Sequence, residues 1–226
     1  MSFQGDRCAE EGSRVLLVEG KDDCHVVRGL LRSRKIERTF GIFACESYEG
    51  LLSRANALVL APTELQTLGL VLDANLVGPA ARWQAIRDKL KRHDYDFPRS
   101  LPTEGAVVPG KSHTPRLGVW VMPDNHSKGS VEDFCLQLID EKDLDVVREA
   151  VQLGKDRKVA QFKRVHKSKA LVHTYLAWQD EPGKPMGQNI AGGRLPSDTP
   201  TAMSFVQWLA RLFELETSRD EETSHA

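Results

Sequence analysis

Three apolar runs in the first third of the chain each end in a small or acidic residue and precede a segment with helical spacing. The run and the segment after it are, in order, residues 14–20 and 22–35, 40–45 and 48–60, and 68–73 and 78–93. In the last segment Trp83, Ile86 and Leu90 recur at the spacing of one helix face. A strand followed by a helix, repeated along the chain, is typical of a parallel sheet flanked by helices. The pattern therefore predicts an α/β fold.

A fourth apolar run extends the same pattern. Residues 94–115 are rich in Pro, Gly, Ser and Thr, and Val107 with Val108 predicts a short edge strand there. The run at 117–122 follows, and its loop leads to Ser130, where acidic residues in the next turn indicate a helix start. We therefore expect a mostly parallel sheet of about four strands.

The rest of the chain has a helical pattern. Residues 155–178 predict one long helix, and residues 201–215 predict a closing helix with a strongly apolar face that covers the sheet. The glycine-containing stretch at 183–193 is interpreted as a flexible loop that lacks the features of a phosphate-binding P-loop. The predicted organisation is an α/β domain at 13–153, a C-terminal helical extension packed on it at 154–215, and flexible termini at 1–12 and 216–226.

Composition agrees with a globular protein. The 226 residues are 40% hydrophobic and 28% charged, which excludes disordered, collagen-like and disulfide-scaffold classes. No apolar run reaches the ~20 residues of a membrane span, and the first twelve residues are polar, without the apolar core of a signal peptide. We therefore expect no membrane association and a cytoplasmic location.

The cysteines are far apart. Cys8, Cys24, Cys45 and Cys135 form no C-x-x-C pair, which argues against a zinc site, a thioredoxin-type motif and a small disulfide framework. They are interpreted as reduced thiols that mostly pack in the interior, with Cys8 exposed in a polar leader.

Carboxylates follow three of the predicted strands. Glu19, Asp73 and Asp124 each lie at the carboxyl end of a strand, with Asp23 one helical turn after Glu19 and Glu132 at the start of the helix after the fourth strand. Ligands of parallel α/β sheets bind at this edge. Clustered carboxylates repel one another unless a cation neutralises them, and oxygen ligands favour Mg²⁺ or Mn²⁺.

Local structure offers an alternative explanation. Asp and Glu are also favoured in turns and in the first turn of a helix, and each acid taken alone fits a capping role better than a ligand role. Asp22 is interpreted as such a cap. The joint occurrence of acids at three strand ends is what capping explains less well.

Two segments at these positions resemble motifs of the Toprim (topoisomerase-primase) domain, a compact Rossmann-like fold of parallel strands. Residues 18–23 (VEGKDD) resemble its glutamate motif after the first strand, and residues 72–75 (LDAN) resemble its Asp-x-Asp motif after the third. The resemblance covers about residues 14–140. It is closest to the Toprim domains of OLD-type nucleases, whose Ser-x-Glu motif corresponds to residues 130–132, and to small stand-alone Toprim-like proteins.

The resemblance implies one or two divalent cations and names their ligands. With Asp124 added from the strand-end pattern, the candidate metal ligands are Glu19, Asp23, Asp73, Asn75, Asp124, Ser130 and Glu132. Asn75 stands where the family has a second Asp, and its amide oxygen coordinates a hard cation but supplies no charge and no base. The OLD branch also uses a lysine before the Ser-x-Glu motif. Lys111 and Lys128 are the loop candidates, and we assign Lys128 to the catalytic set with Glu19 and Asp73.

The positive charge of the chain is locally concentrated. Overall, 31 basic and 32 acidic side chains give a net charge of -1, whereas residues 155–169 contain seven Lys or Arg and one Asp. Such a run fits either a solvated face or a surface that contacts phosphates. The candidate nucleic-acid contacts are Lys158, Lys163, Arg164, Lys167 and Lys169.

Three functions follow from these features. The leading hypothesis is a metal-dependent nuclease that acts on DNA or RNA phosphodiesters. The alternative is a non-catalytic module that keeps the fold and binds nucleic acid or a protein partner, with Asn75 marking the loss of chemistry. A third is an α/β enzyme that transfers phosphate or hydrolyses nucleotides. A monomer of this size would contact only a short stretch of duplex, so a homodimer is an open alternative.

Overall fold

A single sheet organises the protein. The computed structural model describes residues 8–61, 65–111 and 113–216, and these contain five strands in the order β2-β1-β3-β5-β4. The strands are β1 (Arg14–Val18), β2 (Gly41–Ala44), β3 (Thr67–Asp73), β4 (Ala106–Val108) and β5 (Arg116–Met122). Strand β4 is antiparallel to β5 at one edge, and the other neighbours are parallel. The predicted α/β class and the short edge strand are confirmed.

Helices cover both faces of the sheet. The described residues form α1 (Lys21–Ser33), α2 (Tyr48–Leu60), α3 (Pro79–Leu90), α4 (Val131–Leu136), α5 (Glu141–Asp156), α6 (Lys167–Ala177), α7 (Met186–Ala191) and α8 (Pro200–Phe213). Apolar residues of α2 and α3 pack on one face, and those of α1, α4, α7 and α8 pack on the other. Both faces of the sheet are therefore shielded from solvent, which is why β3 is a continuous apolar run instead of an alternating one.

Helix α8 is held against the sheet by two glycines. Gly69 and Gly118 are register partners on β3 and β5. A Cβ atom on Gly118 would lie 2.3 Å from Leu212 Cδ2, so the missing side chains leave the space that Leu212 fills. The predicted closing helix over the sheet is confirmed.

The prediction of one long helix at 155–178 is wrong. Helix α5 ends at Asp156, Lys158 has a left-handed backbone with φ of 57°, and α6 begins only at Lys167 after a 3₁₀ turn. The amides of Val159 and Ala160 both donate to the Gly154 carbonyl and close the end of α5. The predicted domain boundary at residue 153 falls inside α5.

The stretch at 183–193 also differs from the prediction, because it contains helix α7 where a flexible loop was expected. Helix α7 packs on α1 through glycine, since a Cβ on Gly187 would lie 2.1 Å from the His25 carbonyl oxygen. No side chain fits this crossing, so the two helices are in backbone contact.

The cysteine prediction is wrong for two of the four residues. Cys8 and Cys24 form a disulfide, and Cys8 is buried. Residues 8–10, predicted as part of a flexible terminus, pair with the edge of β2, where the Glu10 amide donates to the Ile42 carbonyl. Residues 1–7 and 217–226 of the predicted flexible termini lie outside the described residues. Among the helices that are described, none has the length and apolar character needed to cross a membrane.

Candidate functional site

Carboxylates from two neighbouring strands meet at the carboxyl edge of the sheet. Strands β1 and β3 are parallel and paired through Val18 and Val71, so the residues after them lie side by side. The Asp73 amide donates to Glu19 Oε1 at 2.9 Å, which links the end of β3 to the residue that follows β1. Two of the three acids of the strand-end pattern, Glu19 and Asp73, are therefore brought together.

Three carboxylates at this edge, those of Glu19, Asp73 and Asp23, each accept a hydrogen bond from a backbone amide on one oxygen. Besides the bond from the Asp73 amide to Glu19, the Val131 amide donates to Asp73 Oδ1 at 3.0 Å, and the Gly20 amide donates to Asp23 Oδ2 at 3.1 Å. In each case the second oxygen receives no hydrogen bond from any described residue. For Asp23 that second oxygen, Oδ1, is fully buried, and the side chain is only 4% exposed.

The electrostatics of the cluster oppose ionisation. Burial is the largest cause of the raised pKa of Asp23, and the charge of Glu19 adds to it. Burial also raises the pKa of Asp73, followed by the charges of Asp23, Glu19 and Glu132. The pKa of Glu19 is raised by burial as well, against the hydrogen bond from the Asp73 amide. These acids are therefore close enough to destabilise each other's charged forms.

Glu132 is part of the cluster but is charge-compensated. Burial disfavours its ionised form, yet hydrogen bonds from Ser130 and Lys169 outweigh burial and lower its pKa. Lys169 Nζ lies 3.1 Å from Glu132 Oε1, and Ser130 Oγ donates to Glu132 Oε2 at 2.8 Å. Lys169, predicted as a nucleic-acid contact, is thus the cation beside the acidic cluster.

A second cation at this edge is Arg82, which the sequence did not single out. Its Nε donates to the Asp73 carbonyl at 2.9 Å, its guanidinium stacks on the Tyr48 ring at 3.8 Å, and its charge lowers the pKa of Glu19. Arg82 lies in the first turn of α3, directly after the strand that ends at Asp73. A basic residue one turn into the helix after an acidic strand end is the only sequence signal that could have indicated it.

Asp124 does not belong to the cluster. The amides of Ser127 and His126 donate to its Oδ1 at 2.7 and 3.1 Å, and Gln137 Nε2 donates to its Oδ2 at 2.9 Å. Burial alone would disfavour its ionised form, but these hydrogen bonds outweigh burial and lower its pKa. Oδ1 therefore serves the turn after β5, which is the local role that the sequence left as the alternative, and Oδ2 is taken by the side chain at the end of α4.

Asn75 and Lys128 lie on the loops around the cluster. Asn75 is exposed and has φ of 50°. Its backbone N–H donates to the Gly129 carbonyl at 2.6 Å, which connects the loop after β3 to the loop after β5. Lys128 is exposed, and its aliphatic part lies near Gly78. No described contact joins Lys128 to the acids, so Lys169 and Arg82 are better placed to act there.

The remaining basic candidates, Lys158, Lys163, Arg164 and Lys167, are all exposed. Because the helix is broken, they lie on a loop, a 3₁₀ turn and the start of α6 instead of on one helix face. The segment joins the cluster at its end, where Ser168 Oγ donates to Asp133 Oδ1 at 2.6 Å and Lys169 pairs with Glu132. A basic surface therefore leads to the acidic edge.

The carboxylate cluster fits a hard divalent cation. It offers oxygen donors only, excess negative charge, and the buried, unpartnered Asp23 Oδ1. A second group of metal-binding residue types, Cys8, Cys24 and His25, does not fit as it stands, because the two sulfurs are bonded to each other.

Comparison with known proteins gives a family but no activity. A family model described as a protein of unknown function, DUF3226, matches residues 13–214. No curated protein and no solved structure matches the chain. The match spans the whole sheet, the acidic cluster and helix α8, and the chain therefore belongs to the DUF3226 family.

Proposed function

We propose that the protein binds Mg²⁺ or Mn²⁺ at the acidic edge of its sheet and hydrolyses nucleic-acid phosphodiesters as a Toprim-like nuclease. One observation carries the proposal: Glu19, Asp23 and Asp73 are each fixed through one oxygen by a backbone amide, while the other oxygen has no donor among the described residues. Folding raises the pKa of all three carboxyls, a cost that a bound cation would offset.

The residues of the cluster have distinct roles in this proposal. Glu19, Asp23 and Asp73 would hold the cation, which when bound polarises a phosphodiester and acidifies water. Glu132, oriented by Ser130, would provide a fourth carboxylate at the same edge. The resemblance to Toprim domains, in particular the motifs at 18–23 and 72–75, supports the same assignment.

Two cations of the chain would handle the phosphate. Lys169 and Arg82 contact different members of the cluster, Lys169 the carboxylate of Glu132 and Arg82 the backbone of Asp73. Their charges would bind the phosphate oxygens and stabilise the charge that builds up during hydrolysis. The exposed basic residues at 158–167 would contact the nucleic-acid backbone next to the site. The cytoplasmic location and the homodimer stay predictions from the sequence.

The test is cleavage of nucleic acid by the purified protein. Single- and double-stranded DNA and RNA are incubated with Mn²⁺, Mg²⁺ or EDTA, and products are separated on gels. We expect metal-dependent cleavage that falls by about 100-fold in Glu19→Gln, because one ligand charge is lost while the side-chain size is kept. Asp88→Asn, an exposed acid of α3 that pairs with Gln84, is the matched control and should cleave like the wild type.

The outcomes separate the hypotheses. Equal cleavage by Glu19→Gln and the wild type would mean that the acidic edge is not the active site. A wild type that binds nucleic acid but cuts none of the substrates with either ion would favour the non-catalytic module. Release of phosphate from a free nucleotide without cleavage of DNA or RNA would favour a nucleotide-hydrolysing enzyme.

A further inference from the structure

A cationic groove lies on a side of helix α1 that does not contribute to the acidic cluster. It encloses about 750 Å³ and runs between α1 and α7. Three segments supply its basic side chains: Arg28 and Arg32 from α1, Arg38 from the loop after it, and Lys184 with Arg194 from either side of α7. None of the four clustered carboxylates lines it.

The floor of the groove is backbone. Gly29 and Gly187 cross so closely that a Cβ on Gly29 would lie 2.3 Å from the Gly187 carbonyl oxygen. Because α1 and α7 are in backbone contact, neither wall moves relative to the other without breaking this crossing. Arg28 and Arg32 are therefore carried by a fixed helix, and Lys184 and Arg194 directly flank the other one, so ligand binding does not require assembly of the groove.

The side chains that line the groove favour anions. No Asp or Glu lines it among the residues that the structure describes. Carboxylates lie at its margins, where Glu10 pairs with Arg38 at 2.6 Å, Asp180 pairs with Arg194 at 2.6 Å and Glu181 pairs with Lys184 at 2.5 Å. These pairs partly neutralise the cations that they contact. Arg32 is exposed, and no carboxylate in the described ranges lies within ion-pair distance of it.

We propose that this groove binds an oligophosphate, either free or as the triphosphate of a nucleotide. Several cations converging from three segments match a ligand with several adjacent negative charges, and arginine forks fit phosphate oxygens. The volume is that of a pocket for a small ligand of nucleotide size. The proposal does not depend on the metal site, because the two sites share no side chain.

The experiment is calorimetric titration of the full chain with inorganic triphosphate in EDTA at low salt. EDTA removes divalent ions, so binding through the acidic edge does not contribute. We expect saturable 1:1 binding that weakens as salt is added. Arg32→Gln should weaken it by about tenfold, the loss of one charge-assisted contact. Arg92→Gln, an exposed arginine far from the groove in sequence and absent from its lining, should bind like the wild type.

A second variant gives a change in the opposite direction. Glu10 lies within 3.5 Å of Arg28 and pairs with Arg38, so Glu10→Gln removes a competing negative charge. We expect triphosphate to bind several-fold more tightly to this variant. A variant that is merely misfolded would not bind more tightly, which keeps the test decisive if Arg32→Gln proves unstable.

The remaining arms identify the source of the phosphate. Equal affinity for inorganic triphosphate and ATP supports binding of the phosphate chain alone, and tighter ATP binding supports a nucleotide. No saturable binding, or an equal loss in Arg32→Gln and Arg92→Gln, would overturn the proposal. Loss of oligonucleotide affinity in Arg32→Gln, in a protein whose wild type shows no saturable triphosphate binding, would also overturn it and assign the groove to nucleic acid.

Discussion

Asp23 is a residue whose burial opposes folding, because its charged carboxylate loses contact with water. It is 4% exposed, Oδ2 accepts from the Gly20 amide, and Oδ1 has no donor. In Asp23→Asn the amide oxygen still accepts from Gly20, while the new NH₂ group donates towards the neighbouring carboxylates. We therefore expect the free energy of unfolding of the metal-free protein to rise by about 2 kcal/mol at pH 8, measured by urea unfolding.

Asp124→Asn is the matched control for this substitution. Its carboxylate receives hydrogen bonds on both oxygens and has a lowered pKa, so its charge is stabilised by folding. The same loss of charge should therefore lower the free energy of unfolding, by about 1 kcal/mol. If both variants shift stability in the same direction, the contrast between a strained and a satisfied carboxylate is wrong.

At the residue scale the sequence predicted where the acidic residues lie better than it predicted which side chains contact them. Glu19, Asp23, Asp73 and Glu132 follow strands or open helices, and topology brings such positions to one edge of a parallel sheet. Asp124 follows a strand too, but the next turn uses one of its oxygens and Gln137 uses the other. Contacts across long separations, such as Lys169 with Glu132, depend on how α6 docks, which no local pattern encodes.

At the element scale the docking of α8 depends on the glycine pair of β3 and β5. Gly118→Ala would place a Cβ atom 2.3 Å from Leu212 Cδ2. Either the helix or the Leu212 rotamer has to move, so we expect the free energy of unfolding to fall by about 1–3 kcal/mol. Chemical unfolding followed by tryptophan fluorescence measures it, because Trp208 of α8 is buried in the same interface.

A double substitution tests whether the cost arises at this contact. Leu212→Ala removes the clashing atoms, so the double variant should lose less stability than the sum of the two single variants. Gly154→Ala is the control, since a Cβ there meets only Ala160 Cβ at an ordinary 3.5 Å. Additive losses in the double variant would mean that Gly118 matters for another reason.

The elements that the sequence predicted well are those with a strong apolar period. The strands and helices α1 to α3 agree to within a few residues, because each buries one face or both. The break between α5 and α6 was missed, since the left-handed Lys158 has no typical sequence signal. Helix α7 was missed because glycine, which usually marks a loop, here permits close contact with α1.

At the scale of the whole molecule, charge is separated over the surface although the net charge is only -1. Buried carboxylates occupy the carboxyl edge of the sheet, and a cationic groove occupies another side of α1. Helix α1 contributes to both, with Asp23 in its first turn and Arg32 in its last. An anionic substrate is therefore attracted to the molecule by its cations and repelled at the acidic edge unless a metal neutralises that edge.

This separation predicts how the stability of the whole protein depends on pH. Burial and mutual repulsion raise the pKa of Asp23 to about 7 and that of Asp73 to about 9. A carboxyl whose folded pKa lies above its unfolded value stabilises the protonated folded state, so its ionisation weakens folding as pH rises. We therefore expect the melting temperature of the metal-free protein to fall between about pH 5 and pH 9, measured by scanning calorimetry in EDTA.

Divalent cations should reverse this trend. A bound Mg²⁺ or Mn²⁺ favours the ionised carboxylates, so the rise in melting temperature on adding the metal should grow with pH and shrink in Glu19→Gln. A melting temperature that rises from pH 5 to pH 9 in EDTA would contradict the strained cluster. A fall with pH that millimolar Mn²⁺ and Mg²⁺ leave unchanged would keep the buried acids but remove the metal site, and with it the metal-dependent hydrolysis proposed for this edge.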